Sequence, residues 1–479
     1  MSVTAMPSPI RYRADLAGRR ALVLGLARSG VAAARFLADA GAEVAVYDRR
    51  PAGELADAVN ALEGRPITAL LGIDAPRLVE ALARADLLVT SPSISPRFPT
   101  TEPWLRDLLA DAERRGVELL SEVELFLRLT SARIAAVTGT KGKTTTATLL
   151  AAMLERGGGP WVLGGNIGTP LVERASELTP ETWAVLELSE LQLPTISRGA
   201  EVAVYTNVGA DHIDRHGSVA AYRAVKARLA ELTVAHGTVV LNRDDPGCLE
   251  LAATLPDGGV RWYGLDDETL PATAVDGTIH LAGDPLLPVD EVRLPGLPML
   301  HNVLAAALGA HLAGVDRDAI AAAIRDFRGV AHRLETVGTW GGVTFVNDSM
   351  ATIPAAAIAA LDAFPARGIV LIAGGQGKGI ALDEVGEAIA GRARGAVLIG
   401  ELADELAAAI AERVPVRRAA DMPEAVRAAV GIARPGDVVL LAPAAASFDM
   451  YADYAARGEA FRAAARSIGP TLGPEESDA

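Results

Sequence analysis

The run Val137-Thr-Gly-Thr-Lys-Gly-Lys-Thr-Thr145 sets glycines, lysines and hydroxyls in a fixed order between an apolar stretch and a helical pattern. A turn of this kind at a helix N-terminus aims backbone N–H groups at one point, and the chemistry that answers is anion binding. N–H groups from Gly139 through Thr140, Lys141 and Gly142 to Lys143 would cradle phosphate oxygens. Lys143 would reach the β- and γ-phosphates, and the hydroxyl of Thr144 or Thr145 would ligate Mg²⁺. The general P-loop pattern opens with glycine, and Val137 stands there instead. A bare surface loop does not call for these residues in this order, so a nucleoside triphosphate site is expected.

Downstream lie groups that complement a triphosphate. Glu187 ends the apolar strand in Leu186-Glu-Leu-Ser-Glu-Leu-Gln192, where a carboxylate is costly unless it meets a cation or water. Asp211-His-Ile-Asp214 follows another apolar strand that ends at Thr206, and Lys226 lies on the helix beyond. A lone His212 or Lys226 is more often structural or solvated. Their shared position past strand ends, beside a phosphate loop, favours a site.

A second glycine loop, Gly25-Leu-Ala-Arg-Ser-Gly30, also joins a strand to a helix, and Asp48 ends the next strand. This is the outline of a dinucleotide fingerprint, but Ala27 fills the middle glycine position and its methyl group partly obstructs a pyrophosphate. A nicotinamide cofactor, a tight strand-to-helix turn and another nucleotide ligand all fit.

The elements that carry these loops are apolar runs, each leading into a helical pattern, which is the form of βα units around a largely parallel sheet. The fold class is α/β, in three domains expected from the 479 residues. Residues 1–118 hold Ala21–Leu24, Glu43–Tyr47 and Asp86–Thr90 as strands in a Rossmann-like domain. Residues 119–329 are expected to form a central domain that carries the P-loop, on Arg133–Val137, Trp183–Glu187, Val202–Thr206 and Thr238–Leu241, with the turn-rich stretch from Leu255 to Pro298 appended as short strands or loops; the resemblance given below implies that it is the ATPase domain. Residues 330–479 are expected to form a third α/β domain on Val343–Val346, Ile369–Ile372, Ala396–Ile399 and Val438–Leu441, which the resemblance given below implies is Rossmann-like.

Composition narrows the class. A formal charge of −15 argues against nucleic acid as a partner, leaving room for a local basic phosphate pocket. The single cysteine, Cys248, excludes a disulfide framework and fits a reducing compartment. Met1 to Arg13 lacks the apolar run of a secretory signal, and no stretch of about 20 apolar residues would span a bilayer. A cytoplasmic, soluble, monomeric enzyme with no membrane partner is expected.

Taken in order, Gly139-Thr-Lys-Gly-Lys-Thr-Thr145, Gly165-Asn-Ile-Gly168, Glu187-Leu-Ser189, Asn207-Val with Asp211-His212, His301-Asn302, His332-Arg333, Asn347-Asp-Ser349 and Pro443-Ala-Ala-Ala-Ser447 resemble the Mur ligase family over nearly the whole chain. Ser91-Pro92, Gln192 after the Glu-Leu-Ser block, and Ala444-Ala-Ala-Ser-Phe-Asp449 are most similar to the branch that adds D-glutamate. The resemblance implies an ATP-dependent ligase that joins D-glutamate to UDP-N-acetylmuramoyl-L-alanine in peptidoglycan precursor synthesis. It implies UDP-substrate contacts at Arg28, Ser29, Asp48, Arg49, Ser91, Asn166 and His212, and ATP contacts at the P-loop, Asn302, Arg333 and Asp348. Mg²⁺ would be held by Thr144, Glu187, His212 and Lys226, the last as a carbamate, with Lys143, Glu187, His212 and Lys226 catalytic. Thr352, Lys378, Ser447 and Tyr454 would bind the amino acid.

Ser93, Glu190, Ala305, Gln376 and Ala445 depart from the family pattern, and Met350 stands where lysine is usual. The rivals are a ligase of the same superfamily adding L-glutamate to muramoyl-alanine or folate, a nicotinamide oxidoreductase resting on Gly25 to Asp48, and a P-loop regulator without ligase chemistry.

Overall fold

The computed structural model describes residues 10–73, 75–98, 101–211, 213–256, 258–293, 297–364, 368–377 and 379–474, the side chains of 75, 76, 213, 214, 297 and 298 aside. The chain forms two compact units, Met1–Phe327 and Arg328–Ala479.

The first unit holds two sheets. Strands β1 (Arg20–Leu24), β2 (Glu43–Asp48), β3 (Ile67–Leu71), β4 (Leu87–Thr90) and β5 (Glu118–Leu120) make a parallel sheet in the order β3-β2-β1-β4-β5. The order reverses between β1 and β4, and a crevice opens beyond strand ends at such a point. Gly25, after β1, and Ser91, after β4, stand there.

The second sheet is built from β6 (Arg133–Thr138), β7 (Trp161–Gly165), β8 (Trp183–Glu187), β9 (Val202–Tyr205), β10 (Thr238–Asn242), β11 (Val260–Leu265), β12 (Ala272–Val275), β13 (Thr278–Leu281) and β14 (Asp284–Pro288). Its order is β14-β13-β12-β11-β10-β9-β6-β8-β7, parallel from β7 to β12 and closed by the antiparallel run β12-β13-β14. The turn-rich stretch after Leu255 thus extends this sheet. β6 lies between β8 and β9, with Val137 opposite Glu187 and Thr138 opposite Tyr205, so the phosphate loop, Glu187 and Thr206 leave neighbouring strands at one edge.

One apolar cluster joins the two sheets. It runs from Val23, Val46 and Leu87 through Val123, Leu125, Phe126 and Leu127 to Ile134, Ala184 and Leu186. The helix Glu122–Leu129 carries the middle of that cluster, and its start is fixed by Ser121, whose hydroxyl accepts from the N–H of Glu124. Burying such a helix from both sides makes two sheets one unit.

The second unit places β15 (Glu335–Trp340), β16 (Val343–Asn347), β17 (Ile369–Gly374), β18 (Ala393–Ile399), β19 (Val416–Arg418) and β20 (Val438–Leu441) in the order β15-β16-β20-β17-β18-β19. All pairs are parallel except the edge pair β15-β16. Separate clusters cover its faces, one around Leu371, Leu398 and Leu440 and the other around Phe345, Val397 and Phe461. Continuous burial on both faces explains why β17, β20 and the Ala396–Ile399 part of β18 read as unbroken apolar runs.

Candidate functional site

The P-loop turns where two glycines permit it. Gly139 has φ +148°, and a Cβ there would stand 2.0 Å from Thr206 Oγ1; Gly142 has φ +82°, and a Cβ would stand 2.3 Å from Asn302 Oδ1. Any larger residue breaks the turn. Gly142 precedes the helix Lys143–Arg156, so the positive end of that helix dipole begins where the loop ends. Asn207 clamps the outer arm, accepting from the N–H of Lys141 at 2.9 Å and donating to its carbonyl at 3.1 Å. Lys143 Nζ folds over the loop and donates to the carbonyls of Gly139 at 3.0 Å and Thr140 at 2.9 Å. A phosphate entering there exchanges neutral carbonyls for a charge-assisted contact.

Behind the loop are Glu187 and Lys226. Glu187 is buried; its Oε1 accepts from Asn166 Nδ2 at 2.8 Å, while Oε2 is buried with no hydrogen-bond partner among the described residues. An anionic oxygen in that state costs several kcal/mol unless a cation faces it, so this group fits a hard dication such as Mg²⁺. Thr144 is buried at the start of the adjoining helix. Among the described residues no cluster of three or more His, Cys, Asp or Glu forms a metal site, so any cation would also need ligands of other kinds. His212 lies outside the described residues.

Lys226 is fully buried on the helix Val219–Thr233 and donates from Nζ to Thr138 Oγ1 at 3.2 Å and to the Gly139 carbonyl at 3.0 Å. Burial first, and then the charge of Lys143, bring its pKa down to about 7, against the opposing pull of Glu190, Glu187 and Asp211. Tyr222, one turn earlier, hydrogen-bonds Thr140 Oγ1 at 3.1 Å and lies 5.6 Å from the Lys226 ammonium. An amine with this pKa carries a neutral fraction at physiological pH and is nucleophilic enough to add carbon dioxide.

The crevice on the first sheet encloses about 480 Å³, lined among others by Gly25, Asp48, Arg49, Ser91, Glu102 and Arg215. Asp48 accepts from the N–H of Leu26 at 2.9 Å and from the Arg50 guanidinium at 2.8 and 3.0 Å. Burial pushes its pKa up, but these donors outweigh it and hold the group at about 2. Arg28 and Ser29 open the adjoining helix, Arg28–Asp39, rather than lining the cavity; Arg28 Nη1 donates to the Gly168 carbonyl at 3.2 Å. Asn166 faces Glu187.

In the second unit three segments meet past strand ends. Ser349 follows β16, Gly374 closes β17 and Ser447 follows β20; the Gly374 N–H donates to the Pro443 carbonyl at 2.8 Å, and Arg457 ties the first and third segments together. This fully buried arginine donates to Ser349 Oγ and to the carbonyls of Ser349, Ala445 and Ala446, all at 3.0–3.1 Å. Ser349 Oγ in turn donates to the Tyr454 carbonyl at 2.7 Å. Thr352 is half-buried, Tyr454 exposed and Ser447 buried. Asp348 is buried, accepts from the N–H of Leu334 at 3.1 Å, and has a pKa pushed up by burial to about 6. Arg333 stands one residue before Leu334. Lys378 lies outside the described residues.

Arg50, Arg215 and Arg457 do not stand out in the sequence. Each is one arginine among many in the chain, and its partner becomes visible only when distant segments are brought together.

Fold and site together define an α/β P-loop enzyme with a nucleotide-sized crevice on a sheet of its own. The chain matches the MurD-like N-terminal domain of Mur ligases over residues 19–119, the Mur ligase middle domain over 137–310, and the Mur ligase glutamate ligase domain over 332–445. It is 41% identical to a UDP-N-acetylmuramoylalanine–D-glutamate ligase of Solibacter usitatus, covering 95% of this chain and 99% of that one. A protein of the same name from Frankia casuarinae is 42% identical over 94% of each chain. Among solved structures, UDP-N-acetylmuramate-alanine ligase from Thermotoga maritima shares the fold, with TM-score 0.54 at 18% identity over 94% of this chain and 99% of that one. The chain belongs to the Mur ligase family, whose members are ATP-dependent ligases. Among the described residues no helix is long and apolar enough to cross a membrane.

Proposed function

We propose that this enzyme joins D-glutamate to UDP-N-acetylmuramoyl-L-alanine with cleavage of ATP to ADP and phosphate. The observation that carries the reading is the convergence of the P-loop, buried Glu187 and buried Lys226 on the edge of one sheet, in a chain 41% and 42% identical over nearly its full length to two ligases named for that reaction.

A carboxylate does not yield an amide directly, because its oxygen is a poor leaving group. The terminal carboxylate of the muramoyl-alanine substrate attacks the γ-phosphoryl of ATP, the β–γ bridging bond breaks, and ADP leaves. The resulting acyl phosphate is then attacked by the glutamate amine; the C–O bond to phosphate breaks, inorganic phosphate departs, and the amine loses a proton. Lys143 holds the charge that develops on the transferring phosphoryl group, in a site screened from water. Glu187, Thr144, His212 and carbamylated Lys226 would hold Mg²⁺, which supplies charge neutralisation between the two anions. Asn166 keeps Glu187 aimed. Asn302, buried beside Gly142, together with Arg333 and Asp348 serves the nucleotide.

On the same reading Asp48, Arg49 and Ser91 receive the uridine diphosphate end, Arg28 and Ser29 border it, and Asn166 with His212 approaches the muramoyl-alanine. Thr352, Lys378, Ser447 and Tyr454 hold glutamate. The domain divisions follow residues 1–118, 119–329 and 330–479, and the enzyme works as a cytoplasmic monomer. The test is phosphate release measured with each substrate omitted in turn: release should require ATP, the UDP-muramoyl substrate and D-glutamate together. Nucleotide binding with no phosphate release when all the substrates are present would place the chain with the P-loop regulators instead.

A further inference from the structure

Three arginines line the crevice of the first sheet, each beside a carboxylate. Arg50 is bound to Asp48 by its Nε and Nη2. Arg49, whose side chain is 80% exposed, stands 3.7 Å from Glu102. Arg215 differs from both. It lies on the turn of helix Ile213–His216, three residues past His212, and its Nε is buried with no hydrogen-bond partner among the described residues. Its Nη1 stands 3.5 Å from Oε1 of Glu190, which is itself buried and three residues past Glu187. The two segments that carry the catalytic carboxylate and the histidine thus also carry an ion pair that places a cation in the wall of the nucleotide crevice.

A buried guanidinium donor with nothing to bind is costly, and the geometry of guanidinium suits phosphate oxygens. Asp48 does not fill this role, since its oxygens already accept from Leu26 and Arg50. Arg49 pairs with Glu102 on the exposed rim, where solvent weakens its charge, whereas the Arg215 side chain is only 21% exposed and pairs with buried Glu190.

We infer that Arg215 binds the diphosphate of the nucleotide-linked substrate and that Glu190 is the residue that positions it; this rests on the reading of the crevice as the uridine diphosphate site. Glu190 is one of the departures from the family pattern. Its carboxylate holds the guanidinium on one side, leaving Nε and the remaining amino group for phosphate on the other. The arrangement also ties substrate docking to the catalytic edge, because the segments bearing Glu187 and His212 are the ones that grip the diphosphate.

The experiment is calorimetric titration of UDP into the full chain and its variants, with steady-state kinetics alongside. Arg215→Ala should raise the Kd for UDP and the KM for the UDP-muramoyl substrate by about tenfold or more, the scale of one lost charge-assisted contact. KM for ATP and for glutamate should stay within about twofold, a split that a general loss of structure would not produce. Arg215→Lys, which keeps the charge without the fork, should fall between parent and alanine variant. Glu190→Gln should weaken UDP binding in the parent but add nothing in the Arg215→Ala background, the non-additivity expected of residues acting as one. Wild-type UDP affinity in Arg215→Ala overturns the inference while leaving the crevice reading intact. Failure of the unaltered chain to bind UDP overturns both.

Discussion

The ammonium groups of Lys143 and Lys226 donate to the same carbonyl oxygen, that of Gly139, each at 3.0 Å. Lys143 belongs to the loop and reaches outward, whereas Lys226 comes from the helix behind and is sealed from solvent. Two cations on one acceptor repel, and the buried one gives up its proton more readily.

From this follows the role assigned to Lys226. Its amine is partly neutral near pH 7, which lets it add carbon dioxide and become an anionic oxygen ligand. Lys226→Ala should be nearly inactive, and acetate or formate should restore part of the activity by filling the vacated space. Full activity of the alanine variant without additives removes the carbamate from the account.

The same group makes a stability prediction, with its sign set by linkage. Unfolded, the lysine holds its proton up to the ordinary lysine value of 10.5; folded, it loses it near pH 7. Between those values the unfolded state binds more protons, so this group's contribution rises with pH and is lowest below about 7. Urea unfolding in bicarbonate-free buffer should therefore show a rise in stability from pH 7 to 9 that is reduced in Lys226→Met, by on the order of 1–3 kcal/mol. Equal slopes in the two proteins would contradict the buried-ammonium picture.

Glu187 carries the metal argument. In Glu187→Gln the amide still accepts from Asn166, so the fold should be retained, and removing an unpaired buried charge should raise the melting temperature measured in the presence of a chelator. The stabilisation that added Mg²⁺ and nucleotide give the parent should shrink sharply, and turnover should fall by about a hundredfold or more. A variant that keeps both the Mg²⁺-dependent thermal shift and its turnover would show that the orphan oxygen faces something other than a metal.

Lys143→Ala should abolish phosphate release, a loss on the order of several kcal/mol of transition-state stabilisation, because a charge contact to the transferring phosphoryl disappears from a dry site. Gly142→Ala should act on binding instead: its methyl would press on Asn302 in a left-handed turn, so KM for ATP should rise. Near-normal kinetics in both variants would move the triphosphate elsewhere.

Much of this site is legible in the sequence because its parts are local. Val137 to Thr145 joins strand, loop and helix in one short run, and Glu187 is conspicuous as a charge ending an apolar strand. β17, β20 and the Ala396–Ile399 part of β18 are buried on both faces and announce themselves as apolar runs. The edge strands do not. β3 exposes Thr68 and Ala69, β19 is Val416-Arg-Arg418 with both arginines exposed, and β7 ends in Gly164 and Gly165 where residues approach the backbone closely. Arg215 with Glu190, and Arg457 with Ser349, are 25 and 108 residues apart; no periodicity encodes such pairs.

On the proposed reading the amino-acid end rests on Lys378, Thr352 and Ser447, with Met350 where the family has lysine. If that family lysine mainly serves ATP, Lys378→Ala should raise KM for glutamate by about tenfold or more while KM for ATP moves little, and Met350→Lys should leave the preferred amino acid unchanged. A switch of preference in Met350→Lys would make position 350 part of the specificity pocket.

The central claim is tested most directly by mass analysis of the ligated product when UDP-N-acetylmuramoyl-L-alanine and ATP are offered D-glutamate, L-glutamate and D-aspartate under the same conditions. The account predicts a product with D-glutamate and little with the other two. A clear preference for L-glutamate would contradict it, place the chain with the L-glutamate-adding ligases of its superfamily, and point to Met350 and Gln376 as the residues that changed the pocket.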